Sequence, residues 1–299
     1  MVIYERIFKK PYQQIKRRKT MDFNNLRFGL RGHDIAGNFK DMCRLAKAGG
    51  VPCLQFALAK TMADIDFDSV GYDEKLANEI KSELESFNLS VSVLGCYINP
   101  VDTNEEMRIK QLGRFESFLH YAKTLGAKMV GTETGNRSTI EETRSSENYE
   151  LFLSGLIPLV REAERLGVTI GIEPVSIYTI YSVAMMNKLL CDVNSPALAV
   201  IFDLSNILDE TSAPNQRQII SDAFSLFGDK IRAVHLKDFV FENGGKRFAV
   251  AGEGQYDIRF LFEQMEKLEK MPEIILDELP LSMYERAVKN IQRILENRG

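Results

Sequence analysis

Eight short apolar runs, each followed by a turn, recur along the chain from residue 26 onward. Between most of them lie longer segments whose apolar residues repeat at spacings of three and four, which predicts strands that alternate with amphipathic helices. Runs this continuous in Val, Ile and Leu are typical of a parallel sheet buried on both faces. The predicted strands are Leu26–Leu30, Val51–Leu58, Leu89–Tyr97, Lys128–Glu133, Val168–Glu173, Ala197–Asp203, Ile231–His235 and Glu273–Glu278.

The order of these segments predicts an α/β protein with a single (β/α)8 TIM barrel over residues 24–299. Eight strand–helix units fit a closed barrel in about 275 residues. A doubly wound open sheet is the alternative, but Gly29-Leu-Arg-Gly32 lacks the Gly-x-Gly-x-x-Gly spacing of a dinucleotide site. The predicted helices include Tyr72–Phe87, Glu105–Leu125, Asn148–Leu166, Gln216–Phe227, Asp257–Lys270 and Leu281–Arg298.

Charge and composition exclude several classes of partner. The chain has 38 Lys and Arg against 42 Asp and Glu, so it lacks the basic balance of a nucleic-acid-binding protein. No apolar run approaches the roughly 18 to 20 residues of a membrane span, and no export signal is recognisable, so we expect a cytoplasmic protein. Residues 1–23 are strongly basic, and we interpret them as a disordered extension or as sequence upstream of an initiator at Met21.

Four successive predicted strands, the fifth to the eighth, end in a side chain that can bind a metal. In a TIM barrel the carboxyl ends of the strands meet at the mouth that carries the active site. A charge at the end of a core strand is costly unless it is paired or coordinated. An ion pair with a nearby Lys or Arg would explain any one of them, but their recurrence in step with the strands favours one divalent cation. The four residues are Glu173, Asp203, His235 and Glu278.

The donor set of this predicted site restricts the metal. Three carboxylates and one imidazole form an oxygen-rich set that suits Mn²⁺, Mg²⁺ or Co²⁺, and Zn²⁺ is also possible. The four cysteines form no Cys-x-x-Cys pair, so neither a zinc knot nor a redox motif is indicated.

Other strand ends offer residues that could bind substrate. His33 follows the first strand, where it contacts either a substrate hydroxyl or its own loop. Glu133 closes the fourth strand and contacts either substrate or Arg137. Lys237 lies two residues beyond His235, which places both side chains on the same face of a strand.

A glycine-containing polar segment over residues 239–254 follows the seventh strand. We expect it to form a lid over the mouth, as we do for residues 134–147. Arg247 in the first of these segments is a predicted substrate ligand, because its guanidinium could bind a carboxylate or phosphate if the lid folds over the mouth. Asp257 is predicted to cap the helix that follows.

Five motifs occur along the chain in a characteristic order. They are Gly171-Ile-Glu173-Pro174, Phe202-Asp203-Leu-Ser-Asn206, Val234-His235-Leu-Lys237-Asp238, Gly252-Glu-Gly254-Gln-Tyr-Asp257-Ile258 and Leu276-Asp-Glu278. Together they resemble the xylose-isomerase-like TIM barrel superfamily and, within it, the sugar (phosphate) isomerase/epimerase branch. The resemblance extends over essentially the whole chain from about residue 24.

This resemblance implies an enzyme that moves a proton at a carbon next to a carbonyl. It implies that Glu173, Asp203, His235 and Glu278 bind the metal, and that Glu173 and Glu278 are also the catalytic acid/base pair. The cation would stabilise an enediolate, and the carboxylates would transfer the proton. We therefore expect a metal-dependent sugar isomerase or epimerase, with manganese the first choice of metal, a small sugar or polyol-derived substrate, and a homodimer or homotetramer.

Three positions depart from the pattern of the branch. Asn206 stands where many relatives carry a substrate-binding His, and it is predicted to bind a substrate hydroxyl without carrying a charge. Thr179 and Phe241 replace a Glu and an Arg of many ketose epimerases. A dehydratase acting on a cyclic keto acid such as dehydroshikimate, or on an inosose, is therefore an alternative, as is a non-catalytic ligand-binding barrel. With three histidines in the chain, the multinuclear site of an abasic-DNA endonuclease is not favoured.

Overall fold

A computed structural model of the protein describes residues 26–242 and 244–297. Its strands are β1 (Phe28–Arg31), β2 (Cys53–Phe56), β3 (Ser90–Gly95), β4 (Val130–Thr132), β5 (Ile170–Ile172), β6 (Leu198–Phe202), β7 (Ile231–Leu236), β8 (Asp238–Glu242), β9 (Gly245–Ala249) and β10 (Glu273–Leu276). Eight of them close into a parallel barrel in the order β1, β10, β7, β6, β5, β4, β3, β2. The predicted (β/α)8 barrel is therefore confirmed, whereas the predicted extension over residues 1–23 lies outside the described residues.

Helices surround the barrel and follow its strands in the predicted alternation. Short polar residues begin the two longest helices, since Asn104 accepts a hydrogen bond from the backbone of Met107, and Ser145 from that of Asn148. None of the described helices has the length and apolar character needed to cross a bilayer. The helices are α1 (Phe39–Ala48), α2 (Leu58–Thr61), α3 (Phe67–Val70), α4 (Glu74–Ser86), α5 (Glu105–Leu125), α6 (Ile140–Thr143), α7 (Ser146–Leu166), α8 (Val183–Val193), α9 (Leu204–Ile207), α10 (Gln216–Phe227), α11 (Ile258–Met265) and α12 (Tyr284–Glu296).

The inside of the barrel is packed by large side chains that fit against glycines. Ile201 belongs to a small buried cluster separate from the main core, together with residues of β3, β7 and β10 and the residue before β4. A Cβ atom added at Gly171 would lie 2.9 Å from Cγ1 of Ile201, and one at Gly131 would lie 2.5 Å from Cγ1 of Val93. These glycines therefore leave the room that Ile201 and Val93 fill directly beneath the mouth.

The tight packing at Gly131 gives a stability prediction. We expect Gly131→Ala to lower the free energy of unfolding by about 1–3 kcal/mol, because the added methyl group overfills the interior. Gly113→Ala is the matched control: a Cβ at this position of α5 meets nothing within 4 Å. Since Ala favours a helix over Gly, the control should be neutral or stabilising by up to about 1 kcal/mol. Urea unfolding of both variants measures the difference, and equal effects would contradict the packing argument.

The predicted lid over residues 239–254 contains an antiparallel hairpin formed by β8 and β9. The ammonium of Lys246 on β9 donates to the backbone carbonyls of Ser205 and Leu208, the latter at 3.0 Å, so the hairpin lies against the segment that follows β6. The carboxylate of Asp238 accepts backbone N–H bonds from Gly252 and Gly254, each at 2.9 Å. The end of this excursion is thereby fixed to its start. Asp257 caps α11 as predicted.

Candidate active site

Strand alternation brings three predicted metal ligands together at the barrel mouth. Glu173, Asp203 and His235 each lie two residues beyond an interior position of β5, β6 or β7. One potential ligand atom from each lies within 4.8 Å of the other two, and all three residues are buried. Among the described residues, no other group of three meets this criterion.

The protein itself leaves several polar atoms of this cluster without hydrogen bonds. Nδ1 of His235 lies 3.1 Å from Oε2 of Glu173, but neither imidazole nitrogen has a hydrogen-bond partner among the described residues. Oδ2 of Asp203 also lacks a hydrogen bond, and its one close charged neighbour among the described residues is the ammonium of Lys237 at 3.1 Å. Because unsatisfied buried polar atoms cost about 1–3 kcal/mol each, such atoms suit a bound cation. Two carboxylates and an imidazole therefore fit a hard or borderline divalent metal.

Burial and the neighbouring charges shift the pKa values of the residues in this cluster. Burial alone would lower the pKa of His235, but the neighbouring carboxylate of Glu173 outweighs burial and raises it to about 9. Burial raises the pKa of Asp203 to about 6, even though Lys237 opposes the shift. The imidazole of the metal-free chain is therefore protonated at neutral pH. A cation that binds this nitrogen must displace the proton, so its affinity should rise with pH.

Asn206, predicted to bind substrate, contacts two of the metal-ligand candidates. Its side-chain amide donates to Oε1 of Glu173 at 2.6 Å, and its backbone N–H donates to Oδ1 of Asp203 at 3.2 Å. Asp203 thereby caps α9, and Asn206 at the start of that helix fixes the orientation of Glu173. The contacts of Asn206 are those of a positioning residue.

The structure places Asp277, rather than the predicted Glu278, at the inward end of the eighth barrel strand. Ile275 is an interior residue of β10, so the next inward position is Asp277, which is buried. Glu278 has a left-handed backbone (φ 51°), its side chain is 39% exposed, and its carboxylate lies 3.1 Å from Nη1 of Arg31. Glu278 is thus outside the three-residue cluster. Once Ile275 is known to face the interior, counting by twos along the strand identifies Asp277.

Lys237 lies between these acids. It was predicted to share a strand face with His235, and that face points towards the acids. Its side chain is 6% exposed, and Nζ lies 3.1 Å from Oδ2 of both Asp203 and Asp277. Burial lowers the pKa of Lys237, but these two carboxylates outweigh it and raise the pKa above its ordinary value. The ammonium also lies 5.0 Å from the ring centre of Phe248 on the hairpin.

Arg31 at the end of β1 was not predicted, and it pairs with two further acids besides Glu278. Its Nε lies 3.1 Å from Oδ1 of Asp277 and 2.6 Å from Oδ2 of Asp34. Together with Lys237, it gives Asp277 a cation on each carboxylate oxygen. The neighbouring charges lower the pKa of Asp277 against the effect of burial, so this acid is ionised.

His33 and Tyr97 lie at the mouth near β1, β2 and β3. Burial, aided by the charge of Lys60, lowers the pKa of His33 to about 4, so the imidazole is neutral. Its Nδ1 has no hydrogen-bond partner among the described residues, and its ring meets that of Tyr97 edge to face. The hydroxyl of Tyr97 accepts a hydrogen bond from the side chain of Gln55. His33 therefore remains a predicted ligand of a substrate hydroxyl.

Glu133 lies at the mouth beside the metal-ligand candidates. Burial, followed by the charge of Glu173, raises the pKa of Glu133 to about 7, and Tyr178 hydrogen-bonds the carboxylate. The alternative partner considered from the sequence, Arg137, donates to Oδ1 of Asn148 at 2.8 Å instead.

Arg247, also predicted to bind substrate, is not brought together with the cluster. Its guanidinium pairs with Glu242 at 2.7 Å, and both side chains are largely exposed. Along β9 it alternates with Lys246 and Phe248, which contact the barrel, so it lies on the other face of the hairpin. The residues of this segment that reach the mouth are therefore Lys246 and Phe248.

Comparison with known proteins agrees with this fold. Residues 38–294 match the family described as xylose isomerase-like TIM barrel. No curated protein matches the chain.

Solved structures of similar fold share little sequence with the chain. A D-tagatose 3-epimerase-like protein has a TM-score of 0.73 and 15% identity, covering 91% of this chain and 99% of its own. The IOLI protein with a bound zinc atom has a TM-score of 0.67 and 16% identity, covering 90% and 96%. The probable 3-DHS dehydratase AsbF from Bacillus anthracis has a TM-score of 0.68 and 13% identity, covering 92% and 100%. The fold, the mouth cluster and the family match together establish that the chain belongs to the xylose isomerase-like TIM barrel family.

Proposed function

We propose that the protein is a divalent-metal-dependent sugar isomerase or epimerase. It moves a proton at a carbon next to a carbonyl of a small sugar or polyol-derived substrate, and it acts as a homo-oligomer. The observation that carries the proposal is the buried cluster of Glu173, Asp203 and His235, whose unsatisfied donor atoms converge at the mouth of the barrel. Such a convergence is the usual place for catalysis in this fold.

Glu173, Asp203 and His235 would hold the cation, with Asp277 as the fourth inward-facing acid. The donor set suits Mn²⁺, Mg²⁺ or Co²⁺, and the zinc atom of the IOLI protein supports Zn²⁺ as a further choice. When bound, the ion would polarise the substrate carbonyl and stabilise the negative charge that develops on its oxygen.

Glu173 is the proposed base, because the chain already fixes its carboxylate in one orientation. One oxygen accepts a hydrogen bond from Asn206 at 2.6 Å, and the other lies 3.1 Å from His235. A positioned carboxylate of this kind typically accelerates proton transfer by a factor of about 10² to 10⁴. The ammonium of Lys237 adds a fixed positive charge beside the same cluster, where it would favour an anionic substrate oxygen.

A dehydratase acting on a cyclic keto acid is the second candidate. The observation that favours it is the pair of cations, Arg31 and Lys237, which meet at Asp277 and would attract a substrate carboxylate. The similarity to the probable 3-DHS dehydratase AsbF points in the same direction. Loss of water would begin with the same removal of a proton beside a carbonyl.

Deuterium uptake tests both candidates. The purified chain, stripped with EDTA and reloaded with Mn²⁺, Co²⁺ or Mg²⁺, is incubated in D₂O with keto-sugars, inososes and dehydroshikimate. We expect carbon-bound deuterium in the recovered compound for an isomerase or epimerase, and loss of water for a dehydratase. The Asp203→Asn variant provides the control. Absence of exchange or water loss across all metals and compounds would contradict an enzymatic role and favour a ligand-binding barrel.

A further inference from the structure

We propose that Glu133 is the second proton-transfer residue of this site, in place of the predicted Glu278. This inference rests on the proposed function, because it assigns a partner to the base Glu173 in the same reaction. In the reaction Glu133 would exchange a proton with the substrate oxygens, while Glu173 exchanges a proton with the substrate carbon.

The register of the barrel places Glu133 beside Glu173. Gly131 on β4 pairs with Gly171 on β5, and each of these glycines lies two residues before one of the acids. Both acids therefore end neighbouring strands at the same level, on the face that lines the barrel. A substrate held at the mouth can meet both carboxyl groups at once.

The other acids at the mouth are committed to cations. Asp277 has Arg31 at 3.1 Å from one oxygen and Lys237 at 3.1 Å from the other. Glu278 is turned outward and pairs with Arg31. A carboxylate held in this way is stabilised in its charged form, so it is a poor proton donor.

Glu133 has no such partner. Within the described part of the chain no Lys, Arg or His nitrogen lies within 4.0 Å of its carboxylate, and its hydrogen-bond partner is the hydroxyl of Tyr178. Its side chain is partly buried, whereas Glu278 is exposed. The two carboxyl groups therefore lie in different environments. Glu173 contacts an imidazole and a side-chain amide, whereas Glu133 contacts a neutral hydroxyl. This difference suits Glu173 to act as the base and Glu133 as the acid.

The proposed step balances for an isomerisation. Glu173 takes the proton from the carbon next to the carbonyl, and the electron pair of that C–H bond forms the carbon–carbon double bond. The carbonyl π pair moves to oxygen, which takes the proton of the Glu133 carboxyl group and gives an enediol. Glu173 then returns its proton to the neighbouring carbon. Glu133 recovers a proton from the other hydroxyl as the new carbonyl forms.

Glu133→Gln tests this assignment with the compound that exchanges deuterium in the wild-type protein. We expect kcat to fall about 100-fold, with KM changed less than about threefold and with unchanged metal content measured by mass spectrometry. Glu141→Gln is the matched control, since Glu141 is exposed on α6 in the same connection after β4. It should retain wild-type kcat and metal content.

Chemical rescue separates proton transfer from a structural role. Formate should restore a measurable part of the activity lost in Glu133→Ala, because it can occupy the space of the missing carboxylate. A kcat of Glu133→Gln above one third of wild type would overturn the assignment, as would absence of rescue by formate. If the wild-type protein exchanges no deuterium with any compound, the proposed function fails instead.

Discussion

Asp277→Asn is expected to lower the affinity of the protein for Mn²⁺ by about 100-fold, the upper end of the range for groups that support a metal site. Glu278→Gln should change the affinity less than about twofold. The two residues are adjacent in sequence, yet Asp277 is buried at the inward position of its strand and Glu278 is partly exposed and paired with Arg31. An amide at Asp277 removes a buried negative charge beside the metal-ligand candidates, whereas one at Glu278 removes a charge that is partly exposed to solvent.

Isothermal titration of EDTA-treated protein with Mn²⁺ measures both affinities. Each variant is the control for the other. Both remove one carboxylate charge from the same connection after β10, and both keep the size of the side chain. A larger loss for Glu278→Gln than for Asp277→Asn would show that the outward acid is the fourth member of the site. Thermal unfolding of the metal-free variants should accompany the titration, since a misfolded chain would mimic lost affinity.

The barrel could be predicted from the sequence because its signal is local and repeated. Each strand is a short apolar run, and each of the eight predicted runs overlaps one barrel strand of the structure. The hairpin of β8 and β9 could not be predicted in the same way, since β9 is exposed and its sequence, Gly245–Ala249, is largely polar. Its position depends on a distant contact, the donation from Lys246 to the carbonyls after β6.

The site residues could be predicted from the sequence only where the last residue of a strand also points into the barrel. For Glu173, Asp203 and His235, the last residue of the apolar run is also an inward position. On the eighth strand the run ends in two acids, Asp277 and Glu278, and the end of the run does not say which of them faces inward. The fixed period of two residues in a strand does, once an interior residue is known.

The side-chain partners at the mouth depend on tertiary contacts that no sequence pattern contains. Asn206 at the start of α9 reaches Glu173 of the preceding strand. Arg31, at the other end of the chain from Asp277, meets it because β1 and β10 are neighbours in the closed barrel. Such contacts form only when the barrel closes. They determine which acids are paired with cations and which can transfer protons.

Lys237→Met is expected to lower the free energy of unfolding of the metal-free protein by about 3–5 kcal/mol, because it leaves the buried carboxylate of Asp203 without its cation and Asp277 with Arg31 alone. For a chain of 299 residues the loss corresponds to a fall in Tm of about 5–8 °C. Saturating Mn²⁺ should recover much of the loss, since the ion supplies the charge that the lysine provided. The variant should also bind Mn²⁺ more tightly than the wild type, because Lys237 competes for the oxygens of Asp203 and Asp277.

Lys188→Met provides the control for this prediction, since Lys188 pairs with Asp192 on the surface of α8. An exposed pair of this kind contributes about 0–1 kcal/mol, and Mn²⁺ should stabilise this variant and the wild type equally. Thermal unfolding with and without Mn²⁺ compares the three proteins. If Mn²⁺ stabilises Lys237→Met no more than the wild type, the ion and the ammonium do not share the same carboxylates. The ion would then have to bind through Glu173 and His235, without relief of the charge on Asp203 and Asp277.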